Sequence, residues 1–181
     1  ETGMGGADAL NGDNLKGKML INIDSEEEGE ILVSCAGGVR EIISLPLDFK
    51  KIYEGEYDFY KIKVSGLKGG HSGMEIIKQR GNAIKILGRI LYDLHDNIKI
   101  KGVSLSGGAK MNAIPREAEA IIAINGADNV IKKFVNKWQE IIYNEIGIVD
   151  PDFKVELFDV EDSFEKIIKK ESFQKAIELM N

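Results

Sequence analysis

The sequence predicts an α+β chain built around a ferredoxin-like β-α-β-β-α-β two-layer domain, with two helices covering one face of a four-stranded antiparallel sheet. Three observations carry this. Residues 57–65 alternate apolar and polar side chains, the period of a half-buried strand. Apolar residues later recur at spacings of three and four in two separate stretches, each followed by a return to strand character. The two middle strand patterns are joined by Ser106-Gly107-Gly108-Ala109-Lys110, a turn composition. The whole pattern occupies about 100 residues, a common size for one domain.

The first strand places Tyr57, Phe59, Ile62 and Val64 at its apolar positions, with one slip of phase. From about Met74 to Leu94, the set Ile76, Ile77, Ala83, Ile84, Leu87, Ile90, Leu91 and Leu94 predicts a helix with one buried face. Strand character returns over Ile98–Leu105. It returns again over Glu117–Ile124, where Ala118, Ala120, Ile122 and Ile124 share a side. A second helix is expected from about Asn129 to Ile146, on the stripe Ile131, Phe134, Val135, Trp138, Ile141, Ile142 and Ile146. The single tryptophan lies on that stripe and is expected in the core. Phe153, Val155 and Leu157 mark a closing strand.

The flanks have a different character. Residues 19–47 contain three apolar runs, Met19–Ile23, Ile31–Ala36 and Ile42–Leu47, expected as strands of another sheet. From Asp162, the residues Phe164, Ile167, Ile168, Phe173, Ala176, Ile177 and Met180 predict a third amphipathic helix. The opening Glu1-Thr2-Gly3-Met4-Gly5-Gly6, and an end at Leu179-Met180-Asn181 inside a helical pattern, are what an interior piece of a longer protein would show.

Composition narrows the function classes. The chain has 181 residues, 43% hydrophobic and 30% charged, with a net charge of -6. That charge argues against nucleic acid and anionic membrane as partners. No apolar run approaches the ~20 residues of a membrane helix. A single cysteine, Cys35, excludes an internal disulfide and fits a reducing cytoplasm.

Three segments hold the candidate chemistry. The first is Leu67-Lys68-Gly69-Gly70-His71-Ser72-Gly73, where small residues expose one imidazole and let a ligand approach the backbone. Taken alone, it fits a plain turn equally well. The second is Met19–Glu30, an apolar strand pattern that ends in Asp24 and breaks into an acidic turn. Asp24 suits either a metal ligand at a strand end or a turn-initiating aspartate. The third is Lys110–Ala118, in which Asn112 either donates to a substrate carbonyl or carboxylate, or only closes the turn.

Several chemistries are excluded. His71 and His95 have no metal-ligand spacing, so a zinc site assembled wholly within this chain is not expected. His95 is expected to interact with the dipole at the end of the first helix. Ser72 beside His71 has no partnered acid and is no nucleophile. The Gly-Gly-His-Ser-Gly run lacks the lysine and spacing of a phosphate loop.

Together, Glu1–Met4, Ile21–Glu30, Cys35–Gly38, Leu67–Gly73 and Asn112–Ala118 resemble the aminoacyl-histidine (Xaa-His) dipeptidases of the di-zinc exopeptidase family. The five motifs occur in that family's order, mostly within residues 1–125; beyond 126 only the pattern of elements is similar. The resemblance implies a catalytic domain with two zinc ions and an inserted ferredoxin-like lid. Residues 1–50 then correspond to part of the catalytic domain, 51–160 to the lid and dimerisation domain, and 161–181 to a helix leading back towards the catalytic domain.

Residue by residue, the resemblance places Glu1 and Asp24 at zinc-ligand positions. The glutamate acting as general base would lie just before Glu1. His71 falls on the lid histidine that, in related dimers, reaches the partner's active site and holds the scissile carbonyl. Asn112 falls on a substrate-contacting position. Two departures stand out: Asn125 sits where many relatives have a carboxylate-binding arginine, and the remaining zinc ligands and the base are absent. The expected function is a fragment of a cytoplasmic, zinc-dependent dipeptidase, inactive alone and unable to bind both zinc ions by itself. It would act on dipeptides as a homodimer, with no nucleic acid or membrane partner. A stand-alone ferredoxin-like binding, regulatory or dimerisation module is the alternative.

Overall fold

The structure is a computed structural model that describes residues 5–21, 28–31, 33, 41–126 and 128–181. The chain divides into two compact units, Glu1–Ile42 and Ile43–Asn181. In the first unit, the described residues form a short helix α1 (Gly5–Asp8) and a 3-10 turn at Gly12–Asn14, capped by the Asn11 side chain accepting from the Asp13 N–H at 2.9 Å.

The three strands expected over residues 19–47 are not found among the described residues. Met19, Leu20 and Ile21 are 84–91% exposed and belong to no strand, as do Ile31, Val33 and all of 42–47. An apolar run becomes a strand only where a neighbour completes its backbone ladder, and no described residue does so here. The remainder of the first two runs lies outside the described residues, as does Cys35.

The second unit holds the remaining elements: β1 (Phe49–Lys51), β2 (Asp58–Ser65), β3 (Gly70–His71), α2 (Ala83–Ile98), β4 (Lys101–Gly107), β5 (Ala113–Ile114), β6 (Ala118–Ile124), α3 (Asp128–Ile146), β7 (Lys154–Asp159), β8 (Lys166–Ile168) and α4 (Lys170–Met180). Four strands form a sheet in the order β4-β6-β2-β7, with every neighbouring pair antiparallel. The connection β2-α2-β4 skips over β6, and β6-α3-β7 skips over β2. This is the ferredoxin-like split βαβ arrangement in an α+β fold.

Alternation explains the core. Tyr60, Ile62 and Val64 of β2, Ala118, Ala120 and Ile122 of β6, and Val155 of β7 face the helices. The inner stripes of α2 (Leu87, Ile90, Leu91, Leu94) and α3 (Ile131, Val135, Trp138, Ile142) cover them. The phase slip in β2 also has a cause. Tyr57 and Phe59 point to the opposite face, where they pack with Ile52, Ala123 and Ile167 in a second, smaller cluster. Trp138 is buried, and its Nε1–H donates to Asp93 Oδ2 on α2 at 2.9 Å.

Two helix boundaries differ from the sequence pattern. The first long helix begins at Ala83, not near Met74. Asn82 caps it, its side chain accepting from the N–H groups of Ile84 at 3.0 Å and Lys85 at 3.2 Å. Ile76 and Ile77 are 63% and 83% exposed on a separate 3-10 turn. The expected helix from Asp162 opens instead with β8, which pairs antiparallel with β1, and only then becomes α4. Ile167 and Ile168 are both buried but on opposite sides, as strand residues are.

Residues 43–50 and 161–181 thus belong to the same compact unit as the four-stranded sheet. Helix α4 packs on α2. Its anchor Phe173 is fully buried in edge contact with His95, at 5.7 Å between ring centres. That ring lies against Gly102, where an added Cβ would come within 2.2 Å of it. His95 is therefore packed beneath α4, with Nδ1 3.4 Å from the Ile100 carbonyl oxygen.

Candidate functional site

The segment between β2 and α2 is long, glycine-rich and heavily tied. Leu67 is buried in the core at its start. The Leu67 carbonyl accepts from Arg116 Nε at 3.1 Å, and the Gly69 carbonyl accepts from Arg80 Nη1. Gly70 and His71 form β3, paired in register with Ile114 and Ala113 of β5. The Ser72 N–H donates to the Asn112 carbonyl at 3.0 Å. Gly70 has φ +138°, and an added Cβ would meet Glu75 Oε2 at 2.5 Å and Arg80 Nη1 at 2.6 Å, so only glycine fits.

The segments of His71 and Asn112, from distant parts of the sequence, are thereby brought together: His71 faces Ala113 across the ladder, and Asn112 is the residue just before Ala113. The His71 and Asn112 side chains are both exposed. The His71 N–H donates to Glu75 Oε2 at 2.8 Å. Its ring Nδ1 accepts from two backbone N–H groups, Gly73 at 3.1 Å and Met74 at 3.2 Å. A neutral imidazole whose Nδ1 accepts carries its proton on Nε2. The turn thus fixes both ring orientation and tautomer, and leaves Nε2–H as an outward donor. The Asn112 side chain makes no hydrogen bond among the described residues, so its amide is also available.

Glu75 is the hub of the turn. Besides the His71 amide, it holds Lys78 Nζ at 2.6 Å and Arg80 Nη1 at 3.3 Å. Its carboxyl is pulled from 4.5 down to about 2, chiefly by the Lys78 hydrogen bond and next by the His71 N–H. Next to β3 and β5 lies a groove of about 870 Å³ whose charged lining residues are Lys68, Lys110, Arg116 and Glu117. Asn125 is not in it. That residue lies just past the end of β6 furthest from the groove, roughly 20 Å along the strand.

The metal-ligand candidates Glu1 and Asp24 lie outside the described residues. Among the described residues, no group of three or more His, Cys, Asp or Glu side chains could hold a metal ion. No helix among them is long and apolar enough to cross a membrane. Sequence reasoning missed Asp150, Glu75 and Arg80. Asp150 sits in a Val-Asp-Pro turn after α3, where only the fold shows that its carboxylate faces the histidine segment.

Residues 62–148 match the family described as the peptidase dimerisation domain. This part of the chain is a peptidase dimerisation domain. The wider chain is 46% identical over 149 residues to the cytosol non-specific dipeptidase of Escherichia coli (strain K12), covering 81% of this chain and 30% of that protein. It also resembles the crystal structure of aminoacylhistidine dipeptidase from Vibrio alginolyticus, with a TM-score of 0.67 and 29% identity, over 74% of this chain and 28% of that one. The chain thus spans less than a third of either relative. His71 and Asn112 both fall within the dimerisation domain.

Proposed function

We propose that this chain forms the lid and dimerisation part of a cytoplasmic dipeptide hydrolase, with His71 and Asn112 turned towards the peptide bond that is cut. The observation that carries the reading is the fixed tautomer of His71. Two backbone N–H groups occupy Nδ1, so the exposed nitrogen is a donor, suited to a carbonyl oxygen that becomes negative. Asn112, next in sequence to the Ala113 that faces His71 across the ladder, offers a second neutral donor. During hydrolysis water adds to the carbonyl carbon, the oxygen takes on charge, and the C–N bond then breaks with a proton passing to the leaving amine. Donors already in place stabilise that oxygen without reorganising.

The relatives' names support a dipeptide as substrate and differ in breadth, one being non-specific and the other directed at aminoacyl-histidine. Lys68, Lys110 and Arg116 beside the groove suit the substrate's terminal carboxylate, in place of the arginine that Asn125 replaces. Glu1 and Asp24 are proposed as zinc ligands, completed by residues beyond this chain. Zinc held there would polarise the peptide carbonyl and lower the pKa of the attacking water. In the homodimer, His71 would serve the active site of the second copy. Met74, Ile76 and Ile77, exposed on the same turn, suit contact with that copy.

The test uses the whole enzyme. His71→Ala is expected to lower turnover about 100-fold or more, with zinc content unchanged, while Asp24→Asn lowers zinc content. The 181-residue chain alone is expected to be inactive. Loss of zinc in His71→Ala in proportion to activity, or zinc-dependent turnover by the chain alone, would overturn the reading.

A further inference from the structure

We propose that Asp150 is a positioning residue for His71, acting through the two ends of the histidine segment. The inference rests on the reading of His71 as the carbonyl-facing donor. Asp150 is fully buried. Its Oδ1 accepts from the Lys68 N–H at 2.8 Å and its Oδ2 from the Gly81 N–H at 2.7 Å. These two amides bracket the stretch that carries His71, and they lie 82 and 69 residues from Asp150 in sequence. No other single side chain among the described residues holds both ends of that stretch.

Asp150 is itself held by α3. Its N–H donates to the Ile146 carbonyl at 2.8 Å, and its carbonyl accepts from the Phe153 N–H at 3.1 Å. A buried carboxylate is costly unless hydrogen-bonded, and among the described residues it has no ion-pair partner. The two backbone amides satisfy it instead, one on each oxygen, through charge-assisted bonds of ordinary length. The end of α3 is thereby tied to both ends of the histidine segment. Within that frame, Glu75 and Arg80 tie the inner residues, through the His71 N–H and the Gly69 carbonyl. Releasing one end would let the β3–β5 ladder shift, and a displacement of about 1 Å at a reacting group can cost about 100-fold in rate.

Asp150→Asn keeps the shape but replaces one acceptor with an NH2 that meets a backbone N–H. In the whole enzyme it is expected to lower kcat about 10- to 100-fold with KM little changed. In a His71→Ala background the same substitution is expected to change turnover hardly at all, because the donor it positions is gone. Equal losses with and without His71 would make Asp150 a purely structural group and overturn the proposal. If His71→Ala is slow but Asp150→Asn is not, the proposal falls and the reading of His71 stands. If His71→Ala retains full turnover, both fall. Should Asp150→Asn fail to fold, amide exchange in the unsubstituted protein decides. Lys68 and Gly81 are expected to exchange as slowly as the β2 core, and exchange as fast as the exposed Gly55 turn would overturn the proposal.

Discussion

Phe173 and Gly102 offer a quantitative test of how α4 joins the dimerisation domain. Phe173 is fully buried, and truncating a core phenylalanine to alanine costs about 3–5 kcal/mol. Its edge contact with His95 adds roughly 0.5–1.5 kcal/mol to what is lost. The opposite change, Gly102→Ala, puts a methyl 2.2 Å from Cδ2 and 2.4 Å from Cε2 of the same ring. Overpacking of this kind costs about 1–3 kcal/mol. The two changes must couple. With the ring gone, the added methyl enters the space it vacated, so Gly102→Ala should become neutral or stabilising in the Phe173→Ala background. The expected coupling is about 1–3 kcal/mol, with the double variant more stable than the sum of the singles. Urea unfolding of the 181-residue chain, followed by far-UV circular dichroism and tryptophan fluorescence, measures all four forms. Additive losses, or a cost below about 1 kcal/mol for Phe173→Ala, would refute the packing of α4 on α2 and β4.

Two further outcomes follow from the site. Glu75 has its carboxyl depressed from 4.5 to about 2, so the order it gives the His71 turn is present above pH 4.5 and lost as pH falls towards 2. The His71 amide resonance should titrate with a midpoint near 2; a midpoint at 4.5 would mean that the Lys78 and His71 bonds do not form. The whole enzyme should be a dimer by light scattering, and Ile77→Asp should shift it towards monomer. A dimer unaffected by Ile77→Asp would place the contact elsewhere.

Much of the sheet was legible because its signals are local. The alternation of β2 and β6 and the stripes of α2 and α3 place side chains on faces by period alone. The same method failed at 74–82 and 162–168. There, apolar spacing continued across a change of element that Asn82 and the β1–β8 pairing imposed. It failed again at 42–47, where apolar character without a ladder partner yields no strand.

The sequence by itself determined the ferredoxin-like order of elements and the exposed glycine setting of His71. Local periodicity and backbone freedom carry that information within a few residues. Only the tertiary structure decided that the segments of His71 and Asn112 meet, that the His71 Nδ1 accepts from the turn, and that Asp150 holds both ends of the histidine segment. Those facts depend on hydrogen bonds between residues up to 82 positions apart, and a one-dimensional pattern contains no distances across the fold.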